Sequence, residues 1–212
     1  MIDPRQFGAA EFQKATGADT RAMEAMTRYQ EMLAEWSGRM NLVGPSALEQ
    51  FWLRHAYDSA QLLALAPGAK QWVDVGSGAG LPGLVLAILG RDTPGMSVQL
   101  VETTEKRCAF LRAVALELEL PAIVTSARVE AVRPAHLDII TARAVAPLAR
   151  LLDLTQHLFR GDAQALFLKG RSVEAEISEA LQSWRFDYGL SPSLSDAEGR
   201  VLRIRSLRRA SA

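Results

Sequence analysis

The chain has 212 residues, 49% of them hydrophobic, and its 24 basic and 24 acidic side chains sum to a formal net charge of zero. That length and apolar fraction suffice for a folded core without cross-links, and the single cysteine, Cys108, excludes an internal disulfide and any cysteine-cluster zinc site. No apolar run reaches the roughly 18 residues that would suggest a membrane span, and residues 1–6 lack the charged-then-apolar pattern of an export signal, so a cytoplasmic globular protein is expected.

The first seventy residues predict helix. Thr20 reads as an N-cap, after which Met23, Met26, Leu33, Trp36 and Met40 recur at helical spacing with charges between them. A second helical stretch follows Pro45 and Ser46, carries Leu48, Phe51, Trp52, His55, Ser59, Leu62 and Leu63, and stops before Pro67 and Gly68. The texture changes at residue 71. Short apolar strands are predicted at 71–75, 97–102, 123–127, 137–142 and 163–168, separated by helices that include 84–89 and 105–119. Strands alternating with helices imply βαβ units and a mostly parallel sheet. Residues 185–189 and 201–207 predict a final antiparallel pair at the sheet edge. The expected organisation is a helical segment at 1–70 packed on an α/β domain at 71–212.

Charge is unevenly spread along this plan. Residues 1–70 hold 7 basic and 8 acidic side chains and residues 71–199 hold 12 and 16, whereas residues 200–212 hold five arginines and no acid. A neutral chain has no global field to draw it to a polyanion, but Arg200, Arg203, Arg205, Arg208 and Arg209 could give the last strand a basic face. Protection of a sheet edge and phosphate contact are the two roles open to them.

The chemistry concentrates between the first strand and its helix, in Asp74-Val75-Gly76-Ser77-Gly78-Ala79-Gly80-Leu81-Pro82-Gly83. Doubly wound folds bind ligands at that end of the sheet, and glycines let the backbone approach the ligand. The spacing fits neither a nucleotide phosphate loop nor the dinucleotide fingerprint. Glu102 closes the second strand about 20 residues later, where a carboxylate can accept both hydroxyls of a ribose. Adenosine without a pyrophosphate is the ligand these features describe, and S-adenosylmethionine has that form. Gly76, Gly78, Gly80 and Glu102 are therefore candidate cofactor residues.

The stretch from about residue 28 to residue 180 resembles one family, the small-subunit ribosomal RNA guanine-N7 methyltransferases of the glucose-inhibited division protein B type. The likeness rests on Asn41-Leu42-Val43, Arg54-His55 with Asp58-Ser59, the glycine-rich loop, Val101-Glu102, Lys106-Arg107 with Phe110-Leu111, Arg128-Val129-Glu130, Thr141-Ala142-Arg143-Ala144-Val145 and Leu168-Lys169-Gly170. It implies a class I (Rossmann-like) S-adenosylmethionine-dependent methyltransferase fold. It further implies cofactor contacts at Gly76, Leu81, Val129, Glu130 and Arg143, and 16S ribosomal RNA, in the small subunit or an assembly intermediate, as substrate. Thr103-Thr104-Glu105 departs from the serine-rich stretch common in that family.

The residues are compatible with N7 chemistry. An exocyclic-amine methylase carries an Asn/Asp-Pro-Pro-Tyr/Phe turn after the fourth strand, where this chain reads Ala142-Arg143-Ala144-Val145-Ala146-Pro147. Carbon methylation of pyrimidines needs a cysteine nucleophile, and Cys108 reads as a small core residue. Guanine N7 has a free lone pair and no proton to lose, so no general base is required and none is expected. Arg54, His55, Lys106, Arg107 and Lys169 are the candidate RNA contacts, with Arg143 able to reach either cofactor or base. His55 and Asp58 could instead pair on one helical face to fix the helical segment to the sheet. No metal site, no obligate protein partner, no membrane association and a monomer are expected. A methyltransferase acting on another RNA, a protein or a small molecule is the alternative reading.

Overall fold

The computed structural model describes residues 6–210; residues 1–5, which fall in the stretch read for an export signal, and residues 211–212 lie outside the described residues. Helix α1 spans Ala9–Thr16 and ends at Gly17 in the left-handed region, φ +68°. Helix α2 spans Thr20–Met40, and its cap is Asp19, one residue ahead of the Thr20 expected from sequence: the Asp19 carboxylate accepts the Ala22 N–H at 2.8 Å. A carboxylate at that position satisfies an amide that the helix itself leaves free. Helix α3, Pro45–Glu49, has proline in its first turn. It passes into a wide π-helical turn over Phe51–Tyr57 and then into α4, Asp58–Leu65.

The remaining elements are β1 Gln71–Val75, α5 Gly83–Leu89, β2 Ser97–Glu102, α6 Glu105–Glu117, β3 Ala122–Ser126, β4 Ile139–Arg143, α7 Leu148–Thr155, β5 Gln164–Lys169, α8 Val173–Ala180, β6 Trp184–Pro192 and β7 Arg200–Arg209. They build one seven-stranded sheet in the order β3-β2-β1-β4-β5-β7-β6. The first five strands are parallel, and β7 runs antiparallel to both β5 and β6. The order reverses between β1 and β4, which opens a crevice at their carboxyl ends.

The last two strands form the antiparallel pair expected at the C-terminal edge, with β6 outermost and β7 between it and β5. Val201 packs into the core on one face while Leu202 and Ile204 pack on the other, so β7 is covered on both sides. Its arginines are turned to fastening. Arg200 bonds the Ala197 and Gly199 carbonyls of its own turn, and the Arg203 guanidinium donates to the Leu65 carbonyl at the end of α4. Arg205 reaches Gln164 at 2.8 Å, and Arg209 stacks 3.9 Å over the Trp184 ring while bonding Asp153 at 2.8 Å.

Two apolar layers sandwich the sheet. Helices α7 and α8 cover one face over Val73, Val75, Ile140 and Phe167. On the other, Phe12, Met26, Tyr29, Leu33, Phe51 and Leu62 share a core with Leu84 and Ile88 of α5, Phe110 of α6, and Trp72 and Leu100 of the sheet. Each such fully buried side chain contributes roughly 1.5–3 kcal/mol, so the N-terminal helices and the sheet are bound by the same packing.

Candidate functional site

Asp74 organises the crevice. It is fully buried at the end of β1, where one carboxylate oxygen accepts the Thr141 hydroxyl of β4 at 2.9 Å and the other accepts the Gly83 N–H of α5 at 3.3 Å. Burial pushes its carboxyl up to about 6, although the Thr141, Ser77 and Gly83 hydrogen bonds oppose that rise. The loop after β1 reverses through Gly76 at φ +65°, where an added Cβ would lie 2.8 Å from Val145. Only glycine holds this turn without strain and without displacing the loop after β4.

Beyond Gly76 lies a cavity of about 350 Å³, lined in part by Val75, Val101, Glu102, Val129, Glu130 and Val145. Glu102 is 5% exposed and anchored by backbone. Its Oε1 accepts the Thr103 and Thr104 N–H groups, both at 2.8 Å, and its Oε2 accepts the Gly78 N–H at 3.0 Å. Burial raises its pKa, but the three backbone bonds outweigh it, helped by Arg107 at 3.7 Å, and the group stays below the ordinary carboxylate value. Glu102 is thus an ionised acceptor, and Oε2 has lone-pair capacity left for a ribose hydroxyl. Apolar walls with one fixed carboxylate suit a nucleoside. Of the predicted cofactor residues, Gly76, Glu102, Val129 and Glu130 line this cavity; Gly78 holds Glu102 in place; Gly80 packs against Leu84, and Leu81 belongs to the turn leading into α5.

A second cavity of about 440 Å³ adjoins the first, with Val145 lining both. It receives Arg54, Asp58, Arg143, Lys169, Ser193 and Asp196, so the strand-end arginine lies here and not against Glu102. Arg143 sits 2.7 Å from His55 Nδ1, donating its Nη2–H to the ring. Burial and the Arg143 charge push the His55 imidazole down to about 4. The His55–Asp58 pair that sequence offers as an alternative does not form: Asp58 Oδ1 accepts Gln61 at 2.7 Å and the Ser193 hydroxyl at 2.6 Å. Arg54 is engaged by Asp196 at 2.8 Å. Lys169 is nearly enclosed, its ammonium bonding the Ala146 carbonyl at 3.0 Å and Glu176 at 2.7 Å. Lys106 and Arg107 are exposed at the start of α6, on the Glu102 side.

Several lining residues are not among the candidates read from sequence. Arg150 is exposed at the Glu102 cavity, as is Arg128, which belongs to one of the family motifs but is assigned no contact from it. Arg150 stands in the first turn of the helix after β4, a position from which the sheet's ligand edge is within reach, and that placement is the signal that could have found it. Ser193 and Asp196 come from the turn between β6 and β7, and nothing in their local sequence points to a site more than a hundred residues away in the chain. Cys108 is buried and its thiol donates to the Glu102 carbonyl at 3.4 Å, a structural role as expected. Among the described residues no helix is long and apolar enough to cross a membrane.

Comparison with known proteins gives a consistent result. Residues 22–202 match the family described as rRNA small subunit methyltransferase G. A Caulobacter vibrioides protein named ribosomal RNA small subunit methyltransferase G is 49% identical over 201 residues, covering 95% of this chain and 93% of that protein. Proteins of the same name from Methylorubrum populi and Parvibaculum lavamentivorans are 44% and 41% identical, over 88% and 96% of this chain and 89% and 92% of their own lengths. Among solved structures, a mutant of MtNAS in complex with S-adenosylmethionine superposes with a TM-score of 0.57 at 16% identity, over 95% of this chain and 86% of that one. The fibrillarin/Nop5p complex gives 0.51 at 9% identity, over 69% and 79%. These two likenesses are of fold.

Proposed function

The chain belongs to the rRNA small subunit methyltransferase G family, and on that premise we propose that it methylates N7 of one guanine in 16S ribosomal RNA. It is an S-adenosylmethionine-dependent enzyme, and the cofactor supplies an electrophilic methyl group on a sulfonium. Glu102 would hold the ribose hydroxyls, Val75, Val101 and Val129 the base, and the Gly76 backbone would allow close approach.

The observation that carries the proposal is the pair of cavities divided by Val145, one suited to a nucleoside and one lined with both cations and carboxylates. Methyl transfer in line from sulfur to nitrogen asks chiefly that the two partners be held close and aligned. Guanine N7 attacks through a lone pair and releases no proton, so the chain needs no base. The purine gains a positive charge as the bond forms. A purely cationic cavity would oppose that charge; Asp58, Asp196 and Glu176 beside Arg54 and Arg143 offset it.

The RNA contacts at Arg54, His55, Lys106, Arg107 and Lys169, and the cofactor contact at Arg143, are part of the same proposal. So are a monomeric state, a cytoplasmic location and an assembled small subunit or its precursor as substrate. Neutral net charge supports this last point, since recognition by a local mixed-charge cavity favours a folded particle over loose RNA. The test is transfer of labelled methyl to small subunits from cells lacking the gene, with the product mapped as N7-methylguanosine. Label confined to protein, to another base position or to small molecules would overturn the proposal.

A further inference from the structure

Arg143 and His55 leave an uncommon account of polar atoms. Among the described residues, Arg143 Nη1 and His55 Nε2 are buried without a hydrogen-bond partner, although the two side chains meet at 2.7 Å. A guanidinium only donates, so the His55 Nδ1 facing it must be the bare nitrogen and the ring proton must sit on Nε2. The ring therefore ties Arg143 down without cancelling its charge. The nearby carboxylates are committed elsewhere: Asp58 to Gln61 and Ser193, and Asp196 to Arg54. No ion pair to Arg143 forms among the described residues.

Leaving a charged donor buried and unpaired is costly. A carboxylate in place of the imidazole would satisfy Arg143 better and cost less, yet it would neutralise the guanidinium. The π-helical turn over Phe51–Tyr57 carries His55, and such wide turns are frequent at functional sites. Burial and the Arg143 charge keep the imidazole neutral through the physiological range.

We propose that His55 is a positioning residue that anchors Arg143 through an uncharged acceptor, so that Arg143 presents its full positive charge to an oxyanion. That oxyanion is either the carboxylate of the cofactor's amino-acid end or a phosphate of the RNA. The inference rests on reading this cavity as part of the methyl-transfer site, and it gives His55 a role through Arg143 in place of direct contact with RNA.

The experiment compares His55→Asp, His55→Asn and His55→Ala in the full chain by thermal unfolding, by calorimetric titration with S-adenosylhomocysteine, and by kcat and KM on unmodified small subunits. His55→Asp keeps an acceptor for Arg143 and should keep the melting temperature, while oxyanion binding falls by roughly 10- to 100-fold, the range of a charge-assisted hydrogen bond. His55→Asn, an uncharged acceptor, should recover most of what His55→Ala loses. A loss in S-adenosylhomocysteine affinity identifies the cofactor carboxylate; a rise in KM for the small subunit alone identifies RNA phosphate. Wild-type affinity and kinetics in His55→Asp would overturn the proposal. Should His55→Asp fail to fold, equal behaviour of His55→Asn and His55→Ala would overturn it instead. Failure of the wild type to methylate small subunits would refute the proposed acceptor, while the S-adenosylhomocysteine arm would still test His55.

Discussion

The hydroxyl of Tyr29, in the second helix, donates to the carbonyl of Ala79 in the glycine-rich loop at 2.6 Å. Tyr29 is fully buried and packs edge-on against Phe51, with ring centroids 5.5 Å apart. The N-terminal helices therefore hold the glycine-rich loop beside the Glu102 cavity directly. Tyr29→Phe keeps the packing and removes this bond, at a cost of about 1–2 kcal/mol in chemical unfolding. S-adenosylhomocysteine affinity should fall with it. Unchanged affinity would mean that the loop keeps its shape without the helices.

Gly76→Ala tests whether the turn and the loop after β4 are coupled. The substitution places a Cβ against Val145 at a φ of +65° and costs roughly 1–2 kcal/mol in backbone strain alone. Calorimetry with S-adenosylhomocysteine should show affinity reduced by about tenfold or more, since the strain is relieved only by opening the cavity wall. Wild-type affinity would place the cofactor away from Gly76.

Lys169 separates a fastening role from RNA contact. Lys169→Met removes the tie between the Ala146 carbonyl and Glu176. The loss should be on the order of 2–3 kcal/mol in unfolding experiments, short of the full cost of a broken buried pair, because Glu176 still accepts the Leu148 N–H and the Ser172 hydroxyl. A loss of small-subunit binding with stability intact would mark Lys169 as an RNA contact instead.

Acid stability carries a signature of His55. Its folded pKa of about 4 lies below the ordinary 6.5, because of burial first and the Arg143 charge second. Between these values the unfolded chain binds a proton that the folded chain does not, so this group makes stability fall as pH drops across the window. Asp74 acts oppositely: raised from 3.8 to about 6, it is protonated first in the folded state and favours folding on acidification. The two windows overlap and mask each other in the wild type. In His55→Asn only the first contribution is gone, so its melting temperature should gain on that of the wild type as pH is lowered from about 7 to about 4.5. A difference that stays constant across the range would show that His55 titrates normally.

The sheet is legible in the sequence because its strands are apolar runs bounded by turn residues. Residues 71–75 and 97–102 are predicted at their observed ends, and the loop between β1 and α5 marks the ligand edge. Helix α1 cannot be told apart from α2 by pattern, since its one fully buried side chain, Phe12, sets no period. The C-terminal arginines read as a basic face because sequence shows alternation but not neighbours. Their partners Leu65, Gln164 and Asp153 come from three distant elements. For the same reason sequence pairs His55 with Asp58, three residues along, when its partner is Arg143, 88 residues away.

The turn between β6 and β7 also gives the two cavities different places in the chain. The cavity at Glu102 is walled by residues between Val75 and Leu154. Its neighbour borrows Ser193, Ser195, Asp196, Gly199 and Arg200, about forty residues further on. Every residue that lines the first cavity thus precedes β5, while the second takes its last wall from the turn before the final strand.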